Sequence, residues 1–253
     1  MDSRWRPSGL TVNLGVMPSK VQRHERFHRA LTLAAALACV PLGAVSVGTA
    51  TPAAVDVRGR LTLLEKNNRP GEDVGQAVIW LEGGSGRAMP VEAEISTADK
   101  SFSPHVLVVP VGSTVAFPNH DPFNHNVFSL SDEQPFDLGL YGRGEARSIR
   151  ADRPGILRVY CNVHAQMSAL IVVPDGPHFV QPSGDGSFTL PGVPPGRYVL
   201  HAWHERASEI NHPLDVGPAG AGAVALELDA RGYRFKPHLN KHGQPYPQQG
   251  RRY

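Results

Sequence analysis

The chain has 253 residues, and 25 Lys and Arg against 23 Asp and Glu give it a formal net charge of only +2 at pH 7. The charge is unevenly distributed, because residues 1–50 carry six basic and two acidic side chains and residues 231–253 carry six basic and none, which leaves residues 51–230 at −8. An acidic body whose basic tail has no recognisable binding fold gives no reason to expect a nucleic-acid partner.

Residues 1–54 have the plan of a secretory signal peptide and its flank. A basic stretch over residues 20–29 precedes an apolar and small-residue run over residues 30–50, which is the order found in such peptides. We therefore expect export to the periplasm or the medium, with cleavage between Gly48 and Ala54. An N-terminal membrane anchor is the alternative, but glycines and a proline interrupt a run that is short for a span. No stable membrane insertion is expected after cleavage.

From residue 55 onward the sequence predicts an all-β protein. The whole chain has 26 Gly and 23 Pro, which punctuate short runs rich in Val, Ile, Leu and Phe, and no long amphipathic helix is evident after residue 55. The predicted strands are Ala77–Leu81, Val106–Val111, Thr114–Pro118, Asn126–Leu130, Gly155–Tyr160, Ala169–Val173, Gly186–Leu190, Tyr198–Trp203 and Ala223–Leu228. Short strands at this spacing are typical of sandwiches or barrels.

One cysteine, two histidines and one methionine form a pattern typical of a metal site. Cys161, His164 and Met167 follow one another at intervals of three residues, and His125 lies 36 residues before the cysteine. A thiolate, two imidazoles and a thioether suit a mononuclear copper ion that cycles between the cuprous and cupric states. We therefore predict that these four side chains bind one copper ion.

Other roles for Cys161 remain open on the sequence alone. A zinc site with Cys, two His and an open position is conceivable, although a thioether favours copper. A Cys-His hydrolase is the nearest catalytic alternative, but nucleophile and base usually come from separate elements, and no GxSxG, HExxH or P-loop motif is present. A buried core cysteine is the usual fate of a free thiol. We expect a protein that is not an enzyme.

Strand alternation predicts how the ligands could meet. The two-residue period places Leu157, Val159 and Cys161 on one face of a strand, opposite Arg158, so the sulfur points toward the core at the strand's end. His125 could then enter from a neighbouring strand. The four ligands would be held by strands and one short loop.

The segments around these residues resemble the cupredoxins, in particular the plastocyanin and amicyanin type. Residues 102–121 resemble the strand that leads to the first ligand, His125-Asn126-Val127-Phe128 resembles the ligand segment, and residues 155–167 resemble the closing strand and loop. The resemblance covers residues 102–173. It implies a Greek-key β-sandwich whose metal ligands are His125, Cys161, His164 and Met167.

The same resemblance implies that Asn126 ties the two ligand segments together near the sulfur, where such bonds orient ligands. It also implies a type 1 (blue) copper protein that carries single electrons between redox partner proteins. The spacing from Cys161 to Met167 is similar to the short loop of amicyanin, whereas plastocyanin-like members usually place two more residues before the Met. The alternative function is a periplasmic copper chaperone or storage protein, for which copper is the cargo.

A second resemblance surrounds the first. Residues 57–61 and 77–81, together with residues 185–200, resemble the two halves of a carboxypeptidase-regulatory-like, transthyretin-like β-sandwich. About 100 residues separate these halves here, which predicts that the cupredoxin is inserted into the second sandwich. The predicted divisions are 1–54 for the signal segment, 55–95 and 176–230 for the regulatory-like sandwich, 96–175 for the cupredoxin and 231–253 for the basic tail. The alternative is a tandem, with residues 55–100 as extra cupredoxin strands.

The basic tail and the remaining histidines have ordinary interpretations. Residues 231–253 lack periodicity and are expected to be a flexible or loosely docked extension, with an arm for an acidic partner as the alternative. Surface or hydrogen-bonded roles are expected for His105, His120, His201 and His204.

Overall fold

The computed structural model describes residues 53–246, and these residues form strands with two short 3-10 turns, Lys66–Asn68 and Val74–Gln76. Residues 1–52 of the predicted signal segment lie outside the described residues. Within the described part, no helix has the length and apolar character needed to span a membrane.

The described residues contain eighteen strands, numbered here in chain order. The first six are β1 Val55–Glu65, β2 Arg69–Pro70, β3 Val78–Glu82, β4 Glu92–Glu94, β5 Ser96–Ala98 and β6 Ser101–Ser103. The next six are β7 Val106–Val108, β8 Ser113–Pro118, β9 His125–Ser129, β10 Phe136–Tyr141, β11 Ala146–Ala151 and β12 Gly155–Cys161. The last six are β13 Ser168–Val173, β14 Phe179–Val180, β15 Ser187–Val193, β16 Gly196–His204, β17 Ala207–Val216 and β18 Ala223–Asp229.

The all-β prediction is confirmed. Each of the nine predicted strands is present, with ends that differ by at most three residues from those predicted. Among the longer strands, β1, β10, β11 and β17 are not in that set, although residues 57–61 of β1 belong to the second resemblance.

One pair of sheets is built from the two ends of the described chain and is called the terminal sandwich. One sheet has the order β15-β1-β18, with β2 paired to the end of β1, and the other has the order β14-β3-β16-β17. Leu61, Ile79, Leu190 and Leu200 are fully buried between them. Burial of such side chains contributes about 1.5–3 kcal/mol each.

A second pair of sheets comes from the middle of the chain and is called the central sandwich. Its larger sheet has the order β10-β9-β12-β13-β7, its smaller sheet has the order β11-β8-β4, and the β5–β6 hairpin lies beside them. The core contains Val115, Phe117, Val127, Leu157 and Ile171, all fully buried. The predicted metal ligands lie at one end of this core.

The two sandwiches pack back to back. Val78 and Trp203, from β3 and β16, form an apolar cluster with Val106, Leu170 and Val172, from β7 and β13. Because strand residues alternate between faces, β13 serves both cores: Leu170 and Val172 face the terminal sandwich. This contact explains why the second to sixth residues of β13 are all buried.

A hydrogen-bonded pair also bridges the two sandwiches. His105 Nε2 lies 2.6 Å from Glu205 Oε2, and His105 Nδ1 donates to the Ser168 carbonyl at 3.2 Å. The bond to Glu205 raises the pKa of His105 above its ordinary value of 6.5. The same bond lowers the pKa of Glu205 below 4.5. The expectation of a hydrogen-bonded His105 is confirmed.

Glu205→Gln should therefore reduce stability in a pH-dependent way. The contribution of His105 to the free energy of unfolding is fully present below pH 6.5 and is lost as pH rises through its raised pKa. The contribution of Glu205 is present above pH 4.5 and is lost as pH falls through its lowered pKa. The difference in the free energy of unfolding between wild type and variant should be largest between pH 4.5 and pH 6.5, at about 1 kcal/mol. Urea unfolding from well below pH 4.5 to well above pH 6.5 measures it, and a difference that does not change with pH over that span would contradict the assignment.

Candidate metal centre

Strand β12 delivers Cys161 into the central core. Leu157, Val159 and Cys161 are each fully buried while Arg158 is exposed, so the predicted alternation of faces is confirmed. Cys161 pairs with Val127 of β9, the strand that begins at His125. Two neighbouring antiparallel strands therefore bring the sulfur and the first imidazole to the same end of the sheet.

Three of the four predicted ligands form a compact triangle. Cys161 Sγ lies 3.6 Å from His125 Nδ1 and 3.9 Å from His164 Nδ1. The two Nδ1 atoms are 3.2 Å apart. Within residues 53–246, no other three His, Cys, Asp or Glu side chains bring their ligand atoms as close together.

These distances suit a single metal ion. A point equidistant from the three atoms lies about 2.1 Å from each, inside the range of about 2.0–2.3 Å for nitrogen and sulfur ligands of a borderline-soft metal. A thiolate with two imidazoles in a trigonal arrangement matches the donor set that copper electron-transfer sites use. The residues present therefore fit a mononuclear copper ion.

A buried carboxylate orients the first imidazole. Asp121 Oδ2 lies 2.8 Å from His125 Nε2, and His125 is fully buried. Because a carboxylate only accepts, the proton of neutral His125 is on Nε2, which leaves the Nδ1 lone pair free toward Cys161. Metal-binding histidines commonly donate their other ring nitrogen in this way.

Asp121 is held ionised by its own partners. Burial opposes ionisation, but the backbone N–H of Lys100 at 3.0 Å, the His125 imidazole and the backbone N–H of Asp99 at 2.8 Å together lower the pKa of Asp121. The carboxylate is therefore a fixed negative group behind the ligand. The sequence interpretation did not include this residue.

The loop before His125 is shaped by Asn119, which is fully buried. Its Oδ1 accepts the backbone N–H of Asp121 at 2.9 Å, and its Nδ2 donates to the carbonyls of Phe123 and Tyr141 at 2.9 and 3.2 Å. These bonds place Asp121 under His125. The Phe123 ring contacts the rings of both His125 and His164, with centroid distances of 5.2 and 5.5 Å.

The loop from Cys161 to Met167 is closed by backbone hydrogen bonds. Cys161 N–H donates to the Met167 carbonyl at 3.3 Å, and Met167 N–H donates to the His164 carbonyl at 3.1 Å. The N–H of Val163 lies 3.4 Å from Cys161 Sγ and donates to it. Met167 is buried in the same apolar cluster as Cys161.

His164 differs from His125 in its exposure. It is only partly buried, beside Val163, whose exposed fraction is 41%. Burial and the nearby His125 lower the pKa of His164, so its imidazole stays neutral to a lower pH than usual. A neutral imidazole is the form that binds metals.

Asn126 lies beside the ligands, and its side chain contacts Asp137. Its Nδ2 donates to Asp137 Oδ1 at 2.6 Å, while its Oδ1 is buried with no hydrogen-bond partner in the described part of the chain. The link from Asn126 to the cysteine loop stays a prediction.

The other histidines lie apart from this cluster. His120 is exposed, as expected for a turn residue. His201 stacks on Trp80, and its two ring nitrogens lie 2.7 and 2.8 Å from Glu209 and Glu82. His204 Nδ1 accepts the backbone N–H of Arg206 at 3.2 Å.

Fold and donor set together define a protein of packed β-sheets with a Cys-His-His cluster, fully buried at Cys161 and His125, that is suited to a metal ion. No family model and no curated protein matched the chain.

Solved structures that resemble the chain are cupredoxins, over about a third of its length. The copper-containing nitrite reductase of Thermus scotoductus SA-01 matches with 28% identity and a TM-score of 0.33, over 38% of this chain and 25% of the reductase. The purple cupredoxin of Nitrosopumilus maritimus matches with 24% identity and a TM-score of 0.30, over 32% and 99%. A Cu(I) amicyanin mutant matches with 21% identity and a TM-score of 0.31, over 33% and 82%. The chain thus spans a quarter of the reductase, and these neighbours do not support the regulatory-like resemblance, which stays a hypothesis.

Proposed function

We propose that this chain is an exported type 1 copper protein of the cupredoxin kind that carries single electrons between redox partner proteins. The observation that supports this most directly is the triangle of Cys161 Sγ, His125 Nδ1 and His164 Nδ1, whose sides are 3.2–3.9 Å. Copper, when bound, supplies a one-electron couple between its cuprous and cupric states. Met167, buried beside Cys161, is the proposed fourth ligand.

The protein holds the donor atoms in fixed positions and shields Cys161 and His125 from water. Cys161 and His125 are fully buried, and Asp121 fixes the His125 ring. Ligands that keep their positions limit the rearrangement between the two oxidation states. His164 is the partly exposed ligand, and we propose that electrons enter and leave through its edge.

A chaperone or storage protein is the alternative, in which the ion itself is transferred. Two of the three measured ligands are fully buried, and the loop carrying the third is closed by backbone hydrogen bonds. Release of the ion would therefore require this loop to open. That requirement favours retention of copper and therefore a carrier role, and we propose that the chain carries out no catalysis of its own.

We also propose that the central sandwich is inserted into the terminal one. The chain leaves the terminal sandwich at Glu82, the end of β3, and returns at Phe179, which pairs with Trp80 of the same strand. Entry and exit are thus adjacent, as an inserted domain requires. The terminal sandwich would then position the metal domain or contact a partner.

The proposed function predicts that the full-length protein binds one cupric ion and turns intensely coloured. Thiolate-to-copper charge transfer should give a strong visible absorption band, because Cys161 and two imidazoles form the site. The visible and EPR spectra measure this during a cupric titration. Cys161→Ser should lose the band while keeping the fold, since the two side chains have similar size.

Retention separates the two candidate functions. A carrier should keep copper against a chelator in both oxidation states, whereas a chaperone should release it readily in one of them. A protein that stays colourless with cupric ion, or that prefers zinc without colour, would overturn the electron-carrier proposal.

A further inference from the structure

The C-terminal segment returns to the metal end of the central sandwich. This segment, residues 231–246, follows β18 and was expected to be a loosely docked extension. Tyr246 Oη donates to the carbonyl of Cys161 at 2.7 Å, and Lys241 N–H donates to Asn162 Oδ1 at 3.0 Å. Two consecutive residues of the ligand loop are therefore held by the chain's own tail.

A second anchor connects the segment to the strand that carries His125. Lys241 Nζ lies 2.7 Å from Asp137 Oδ2, and Asp137 Oδ1 accepts the bond from Asn126, the neighbour of His125. Asp137 is exposed, so this ion pair contributes little energy. The pair matters for position, because Lys241 contacts the loop that begins at Cys161 directly and reaches β9, the strand of His125, through Asp137 and Asn126.

Aromatic contacts order the segment between these anchors. The His238 ring stacks on Tyr160 with a centroid distance of 4.0 Å and an angle of 16°. The Tyr246 ring packs edge-on against His238 at 5.2 Å. Tyr160 directly precedes Cys161, so the stack and the hydrogen bonds act on one short stretch of chain.

The geometry of this stretch matters for the sulfur. Val163 N–H donates to Cys161 Sγ at 3.4 Å, which requires the two intervening peptide groups to keep their orientation. The C-terminal segment holds both ends of this link, because Tyr246 bonds the carbonyl of Cys161 and Lys241 bonds the side chain of Asn162. Hydrogen bonds to a ligating sulfur tune the potential and the affinity of a metal site.

We propose that residues 231–246 are a built-in clamp on the metal centre, in which Tyr246 and Lys241 are positioning residues for the loop that begins at Cys161. The clamp slows the loss of copper and sets the environment of the thiolate. This inference rests on the proposed copper function and adds a role for the C-terminal segment.

Two truncations test the clamp on the otherwise full-length chain. Ending the chain after Ala230 removes every clamp contact, whereas ending it after Tyr246 removes seven residues and keeps those contacts. The shorter chain should lose copper affinity by about 10–100-fold, as is typical when outer contacts of metal ligands are removed. Its charge-transfer band and reduction potential should also shift. The chain that ends after Tyr246 should match the full chain in all three measurements.

Point variants isolate the hydroxyl of Tyr246. Tyr246→Phe removes only the donor to Cys161 and should raise the copper dissociation constant about 2–10-fold, the equivalent of one hydrogen bond. Tyr233→Phe is the matched control in the same segment, and it should have no effect. Thermal unfolding of the apo forms accompanies both, because a purely structural role would lower the melting temperature and leave the spectrum unchanged.

The outcomes separate this inference from the proposed function. If the full chain binds copper with colour and the chain ending at Ala230 does so with equal affinity and an identical spectrum, the clamp is wrong and the carrier proposal stands. If the full chain binds no copper, the carrier proposal itself fails and the clamp fails with it.

Discussion

Asp121→Ala is expected to weaken copper binding by about 10–100-fold and to destabilise the apo protein by about 3–5 kcal/mol. The carboxylate is buried and accepts three hydrogen bonds, from His125 Nε2 and from the backbone N–H groups of Asp99 and Lys100. Its removal leaves three donors without this acceptor, at a cost of about 1–3 kcal/mol for each that stays unsatisfied. It also frees the His125 ring to rotate or change tautomer.

Two variants make the Asp121 experiment specific. Asp132→Ala removes the same charge from an exposed position in the central sandwich and should leave both quantities nearly unchanged. Asp121→Asn keeps the shape and one acceptor oxygen, so its losses should be smaller than those of alanine. Chelator competition measures the affinity, and urea unfolding of apo protein measures the stability. Full affinity and full stability in Asp121→Ala would show that the carboxylate does not orient the ligand.

The strands that the sequence predicted are those with strong apolar runs. β12 and β13 are central in the larger sheet of the central sandwich. Their buried positions carry apolar residues, and this pattern is recognisable in the sequence. β10, β11 and β17 were missed, and each lies at the edge of its sheet. β1 was also outside the nine predicted strands although it is central in its sheet, because Asp56, Arg58 and Arg60 interrupt the apolar run in its first half. An edge strand pairs on one side only and faces solvent more, so its residues are more polar. In β17, for example, only Leu214 and Val216 are buried.

The candidate site was predictable where its members are close in sequence. Cys161, His164 and Met167 share one loop, so their spacing alone indicates convergence on one point. Asp121 lies only four residues before His125, yet nothing in that spacing distinguishes it from an ordinary turn aspartate. Its role depends on the loop that Asn119 shapes through three side-chain bonds.

The docking of the tail could not be predicted for a related reason. Its contacts are hydrogen bonds from Tyr246 and Lys241 to single backbone or side-chain atoms, and one aromatic stack with Tyr160. Such contacts have no sequence period, and a stretch rich in Pro, Gln and Gly looks like a disordered extension. The contact becomes evident only when the structure places the loop from Cys161 to Met167 beside the C-terminal segment.

Trp203→Ala is expected to cost about 3–5 kcal/mol in the free energy of unfolding and to separate the unfolding of the two sandwiches. Its side chain is only 6% exposed and belongs to the apolar cluster between them, with Val78, Leu170 and Val172. Trp203→Phe keeps most of the apolar contact and should cost less than about 1.5 kcal/mol. Urea unfolding followed by peptide-resolved hydrogen exchange reports each core separately. One coincident transition with an unchanged midpoint in Trp203→Ala would contradict a stabilising role for this interface.

The same variant should leave the proposed copper site intact under native conditions, because β13 separates the core of the central sandwich from the interface with the terminal sandwich. Leu170 and Val172 face Trp203, whereas Ala169 and Ile171 face the core that contains Cys161. The terminal sandwich therefore supports the sheet that carries the proposed metal ligands without contributing a residue to the cluster of His125, Cys161 and His164. An unchanged charge-transfer band in a destabilised Trp203→Ala protein would show that the terminal sandwich stabilises the central sandwich without altering the proposed copper centre.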